Sequence, residues 1–135
     1  MIPGKLYLIP SCLGDSSWEK VIPAYNLEIV MNLEYFIVEE VRSSRRFLRK
    51  IDRALSLDKL QFLLLNEHTH PKELGGMLEV LLQGHDAGLL SEAGLPCVAD
   101  PGARLVILAQ QASIKVIPLS GPSSIFLALM ASGFN

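Results

Sequence analysis

The chain has little with which to hold a metal ion or to lock itself covalently. It carries two cysteines and three histidines in 135 residues. No Cys-x-x-Cys or His-x-x-x-His pair occurs. His68 and His70, with Glu67, resemble part of a zinc set, but no third ligand is in sight and polar loop residues are the plainer reading. Cys12 and Cys97 fall in predicted loops, where reduced thiols are the default and a disulfide would need close Cα spacing. The opening Met1-Ile2-Pro3-Gly4-Lys5 runs straight into an apolar segment, so no signal peptide is expected. No apolar run approaches the roughly 18–20 residues of a membrane span. A cytoplasmic protein without a membrane partner is therefore expected. The formal net charge of −2 gives no global attraction to nucleic acid. Repeats and low-complexity linkers are also lacking.

Apolarity is in excess. Half of the residues are hydrophobic and the mean hydropathy is +0.34. Without a span, this suggests a face covered by another domain or subunit, a homodimer being one such arrangement.

Apolar runs and helical stripes alternate along the chain. Strands are expected at residues 6–9, 35–38, 62–65, 87–90 and 115–119. Trp18, Val21, Ile22, Tyr25, Ile29, Val30 and Leu33 form a helical stripe that Pro23 either starts or kinks. Phe47, Leu48, Ile51 and Leu55 form a second stripe, and Leu74, Met77, Leu78, Leu81 and Leu82 a third. Pro101 suits a first helical position with Asp100 as its cap. Pro122 starts a last helix that Gly133 ends. Five β-α units predict an α/β fold: a three-layer αβα domain with a five-stranded, mainly parallel sheet.

Three loops that follow strands are rich in glycine and proline. They are residues 10–15, residues 91–102 (Ser-Glu-Ala-Gly-Leu-Pro-Cys-Val-Ala-Asp-Pro-Gly) and residues 120–124. In a parallel sheet all three emerge at one edge, where ligands bind. Each alone reads as an ordinary turn plus cap. Together they can bring backbone groups and carboxylates to a small polar ligand.

These strings resemble the tetrapyrrole methylase superfamily, the class III S-adenosylmethionine-dependent methyltransferases. Within it, the small-subunit ribosomal RNA cytidine 2′-O-ribose methyltransferase family resembles the chain most. Its first motif, Leu-Tyr-Hyd-Val-Pro-Thr-Pro-Hyd-Gly-Asn (Hyd being apolar), is similar to Leu6–Asp15. Its Glu-Asp-Thr-Arg is similar to Glu39-Glu40-Val41-Arg42, and its acidic residue with His to Glu67-His68. Its Ser-Asp-Ala-Gly-x-Pro…Asp-Pro-Gly is matched by Ser91–Gly102, and its Pro-Gly-Pro-Ser/Cys-Ala by Ser120–Ser124. The sequence departs from the pattern with Glu92 and Glu40 for Asp, Val41 for Thr and Asp15 for Asn.

The resemblance implies the N-terminal αβα domain of a two-domain enzyme, with a C-terminal domain completing the cleft; alone, the domain is expected to be inactive. It implies S-adenosylmethionine as cofactor, approached by Ser91, Glu92, Ala93, Gly94, Pro96, Asp100, Gly102, Gly121, Pro122 and Ser123. It places Pro10, Gly14, Asp15 and Arg42 toward the substrate. Methyl transfer needs no metal, but a ribose hydroxyl profits from a general base. Glu39, Glu40 and Glu67 are the candidates, and the sequence does not choose among them.

Arg42, Arg45, Arg46, Arg49 and Arg53 recur at helical spacing, and with Lys50 they hold half of the chain's Lys and Arg within twelve residues. One reading is a phosphate track for ribosomal RNA or the small ribosomal subunit; the other is a solvated helix face. Trp18 and Tyr25 read as core rather than a stacking platform. A tetrapyrrole or other small-molecule methyltransferase is the enzyme alternative, although residues 10–15 lack the Gly-x-Gly-Pro-Gly-Asp loop usual there. An inactive binding module is the non-enzyme alternative.

Overall fold

The structure is a computed structural model that describes residues 1–14, 17–98 and 100–134. Its five strands are β1 (Leu6–Ile9), β2 (Tyr35–Val38), β3 (Gln61–Leu64), β4 (Ala87–Leu90) and β5 (Val116–Pro118). All pair in parallel, in the order β3-β2-β4-β1-β5. The helices are α1 (Ala24–Met31), α2 (Val41–Ile51), α3 (Pro71–Leu82), α4 (Gly102–Gln111) and α5 (Ser124–Ser132).

The strand order explains the layers. The chain steps one way across the sheet from β1 to β2 to β3, then the other way from β3 to β4 to β5. Right-handed crossovers then place α1 and α2 on one face and α3 and α4 on the other. The two hydrophobic cores follow this division. Phe36, Val38 and Ile9 pack with Val30, Leu48 and Ile51. Leu6, Ile37 and Leu89 pack with Leu74, Leu81, Leu105 and Ala109. Alternate strand residues thus feed opposite cores, as the pleat requires.

Several boundaries differ from the sequence expectation. β3 starts at Gln61, whose N–H donates to the Glu34 carbonyl at 2.7 Å, and ends at Leu64. β5 is shorter by one residue at each end, although Leu119 N–H still donates to the Leu8 carbonyl at 3.0 Å. Pro23 starts α1 rather than kinking a longer helix, because proline supplies no N–H for the turn before it. Tyr25, expected in the core, is 58% exposed, and Leu82 also faces outward. Trp18 packs part-buried against the α1–α2 core. α2 stops at Ile51, where Asp52 turns extended and its carboxylate accepts the Ala54 N–H. Leu55 and Arg53 therefore lie beyond the helix, and the buried face is Ser44, Leu48 and Ile51. α4 begins at Gly102 with Pro101 as its N-cap, one residue later than expected. α5 begins at Ser124, capped by the Ser123 hydroxyl rather than started by Pro122. Gly133 ends it in the left-handed region at φ 81°.

α5 buries none of its residues. Ile125, Phe126, Leu127, Leu129 and Met130 all stand exposed, which is where the excess apolarity goes. Among the described residues, no helix is long and apolar enough to cross a membrane.

Candidate functional site

The three glycine-bearing loops meet at the carboxyl edge of the sheet. Ser11 N–H donates to the Gly94 carbonyl at 3.0 Å, and Gly94 N–H returns to the Ser11 carbonyl at 3.2 Å. The Ser11 hydroxyl donates to the Ser91 carbonyl at 3.1 Å, and the Ser91 hydroxyl donates to the Gly94 carbonyl. Both serines are buried, so these bonds satisfy groups that water cannot reach. The third loop closes on the first: a Cβ at Gly121 would lie 2.2 Å from Pro10 Cγ. A Cβ at Gly94, whose φ is +69°, would lie 3.0 Å from both the Pro122 carbonyl oxygen and Leu13 Cδ2. Asn26, a buried amide within the apolar stripe of α1, donates to the Ser120 carbonyl at 2.8 Å.

β4 makes this edge concave. Its loop leads to α4, while the loops of its neighbours β1 and β2 lead to helices on the opposite face. Crevices therefore open on both sides of the β4 loop. On the β2 side lies a cleft of about 660 Å³. Glu39, Glu40, Glu67, Glu92 and Asp100 line it with Ser91 and Ala93; among the described residues, no Lys or Arg does. On the β1 side lies an apolar groove of about 320 Å³, walled by Leu8, Pro96, Pro118 and Gly121. Leu95 and Val98, from the β4 loop itself, border both.

The loop after β4 is tied at each end. Asp100 accepts the Cys97 N–H at 2.8 Å and the Gly102 N–H at 2.9 Å. Cys97 sits at φ 66°. Burial and the Asp100 charge push its thiol up to about 12, and both cysteines are free. Glu92 accepts the Ser43 hydroxyl in the first turn of α2, at 3.0 and 3.2 Å to its two oxygens. Burial, then Asp100 and Glu92, raise the Glu39 carboxyl above its ordinary range.

Of the residues singled out in the sequence, Glu39, Glu40, Glu67, Ser91, Glu92, Ala93 and Asp100 come together in the cleft, and Pro96 and Gly121 in the groove. Gly94 and Pro122 are buried in the loop junction, and Gly102 is buried at the start of α4 against Leu89. Pro10 is buried against Gly121 and reaches neither depression. The Ser123 hydroxyl is committed to the Phe126 N–H. Gly14, at φ +73°, is exposed outside the cleft. Asp15 lies outside the described residues. Arg42, Arg45, Arg46 and Arg49 are exposed on α2 and do not line the cleft. His70 caps α3 in a box with Glu73, and His68 pairs with Glu67 at 3.3 Å. Among the described residues, no group of three His, Cys, Asp or Glu could hold a metal ion.

Asn66, Leu95, Val98 and Ser43 were missed in the sequence. Asn66 had a signal, standing next to Glu67 just past a strand. Ser43 had none, because its partner lies 49 residues away.

No family model matches the chain. The chain is 30% identical over 128 residues to the ribosomal RNA small subunit methyltransferase I of Vibrio cholerae, covering 95% of this chain and 42% of that protein. It is 31% identical over 132 residues to the protein of the same name from Micromonospora olivasterospora, covering 96% and 39%. The Pasteurella multocida protein of that name is 31% identical over 132 residues, covering 98% and 44%. The chain thus spans about two fifths of the length of the curated relatives it matches.

Proposed function

We propose that this chain forms one wall of an S-adenosylmethionine-dependent methyltransferase that modifies a ribose 2′-hydroxyl in small-subunit ribosomal RNA. A second domain would supply the facing wall. The observation that carries the reading is the junction of Ser11, Gly94 and Gly121, which brings three loops together at one edge of the sheet, between the acidic cleft and the apolar groove. The names of the relatives support the methyltransferase and ribosomal RNA parts of it.

The cleft and the groove on either side of the β4 loop would together suit a sulfonium methyl donor. The carboxylate-lined cleft suits positive charge, and the apolar groove suits a flat heterocycle. The missing side chains at Gly94 and Gly121 keep the loop backbones close together. The donor supplies an activated methyl group; the protein's part is to hold the acceptor oxygen in line with it and to keep water out. Ser91, Glu92 and Ala93 would face the donor, with Pro96 and Gly121 on its apolar side. The exposed arginines of α2 would take RNA phosphates at the rim, while the acidic cleft repels phosphate from its interior.

Calorimetry of the full-length protein with S-adenosylmethionine, followed by a methylation assay on small ribosomal subunits, tests this. Binding and RNA-borne methyl groups resistant to alkaline cleavage are expected. A protein that binds no donor would overturn the proposal.

A further inference from the structure

Most of the carboxylates around the cleft already have other work or stand in open water. Asp100 accepts two backbone N–H groups. Glu92 accepts the Ser43 hydroxyl. Glu67 pairs with His68, and both side chains are more than 80% exposed. Glu40 is exposed at the N-cap position of α2, where its carbonyl takes the Ser44 hydroxyl at 2.7 Å. Glu39 differs from them. It follows β2, one strand in from the sheet edge, and is half-buried. It borders the large cleft and also a small recess beneath it, formed by Ile37, Leu65, Leu89 and Gly102. Among the described residues, nothing hydrogen-bonds to its carboxyl.

We infer that Glu39 is the proton acceptor for the hydroxyl that is methylated, an inference that rests on reading the cleft as a methyltransferase site. As the ribose oxygen bonds to the methyl carbon, its proton passes to a Glu39 oxygen. The carbon–sulfur bond breaks with its electron pair left on sulfur. A carboxylate beside a cation becomes a neutral acid beside a neutral thioether, and the proton later leaves to water through the open cleft. The charged and titratable groups around Glu39 favour that proton. Asp100 from the β4 loop and Glu92 beside it both raise the carboxyl's proton affinity, with burial the larger cause. Glu40, Glu67 and His68 are the other titratable groups lining the cleft, and among the described residues no Lys or Arg lines it. A base with raised proton affinity is better matched to a hydroxyl at neutral pH.

The test uses the full-length protein with Glu39→Gln, Glu39→Asp, Glu40→Gln and Glu67→Gln. Donor affinity is read by calorimetry, single-turnover transfer on small ribosomal subunits by radiolabel, and the Glu39 carboxyl by carbon-13 NMR titration. Glu39→Gln should keep donor affinity while losing about 100-fold or more in rate, with partial recovery in Glu39→Asp. Its loss should exceed those of Glu40→Gln and Glu67→Gln by about tenfold. Glu39 should titrate above the ordinary carboxylate range, and the wild-type rate should rise with pH through that value. Rates in Glu39→Gln close to wild type, a larger loss at Glu40 or Glu67, or ordinary titration of Glu39 would each overturn the inference. A wild-type protein that binds no donor would remove the functional reading and this inference with it; the calorimetry shows which has failed.

Discussion

Ser43 in the first turn of α2 donates its hydroxyl to Glu92 in the loop after β4, joining two elements that flank the acidic cleft. The carboxylate also lies at the end of a helix where negative charge is favoured. The longer Glu at position 92, where the resembling family has Asp, has the reach for this contact. Ser43→Ala should cost less than about 1 kcal/mol in global stability, because the bond is exposed. Its local effect should be larger, with faster amide exchange at Glu92 and Ala93. Unchanged exchange there would show that the bond does not hold the loop.

Glycine substitutions should separate the loop junction from the rest of the fold. Gly121→Ala places a methyl group 2.2 Å from the Pro10 ring, and the buried ring cannot move aside. It should cost roughly 1–3 kcal/mol and weaken donor binding by about tenfold or more. Gly76 lies within α3 with nothing within 4 Å of an added Cβ. Gly76→Ala should stabilise by about 0.5–1 kcal/mol and leave donor binding alone. Denaturant titration and calorimetry read both.

The α2 arginines should act on RNA and not on the fold. Arg45, Arg46 and Arg49 are exposed, opposite the buried Ser44, Leu48 and Ile51. Reversing all three to Glu should weaken RNA binding by about tenfold or more and flatten its salt slope by up to about three. The melting temperature should change little. An unaltered slope would make this a merely solvated face.

Cys97 should be chemically quiet. Burial first, and then Asp100, disfavour its thiolate and push the thiol up to about 12. Only the thiolate alkylates, so iodoacetamide at pH 8.5 should leave Cys97 unmodified in the folded protein and label it after unfolding. Rapid labelling of Cys97 in the folded state would contradict the burial assigned to it.

The sheet was legible because buried parallel strands read as short apolar runs; Tyr35–Val38 and Ala87–Leu90 stand as expected. The termini of α2 and α4 were less legible. There the chain obeys local bonds, such as Asp52 with Ala54 and Asp100 with Gly102, that compete with the stripe pattern. Tyr25 shows the same limit, since helical spacing does not say how far a stripe reaches around a helix. The site was legible as three loops, because each carries glycines in a strand-to-helix turn. Its charge was not. That five carboxylates share one cleft while the arginines stay outside follows from β2, β3 and β4 lying side by side, which no local pattern states.

Backbone amide NMR of the full-length protein during titration with S-adenosylmethionine tests the central claim most directly. Shifts should concentrate at residues 11–13, 91–96 and 120–123 and saturate together, since one ligand would touch all three loops. Shifts confined to the opposite edge of the sheet, around residues 2–5 and 84–86, would contradict it.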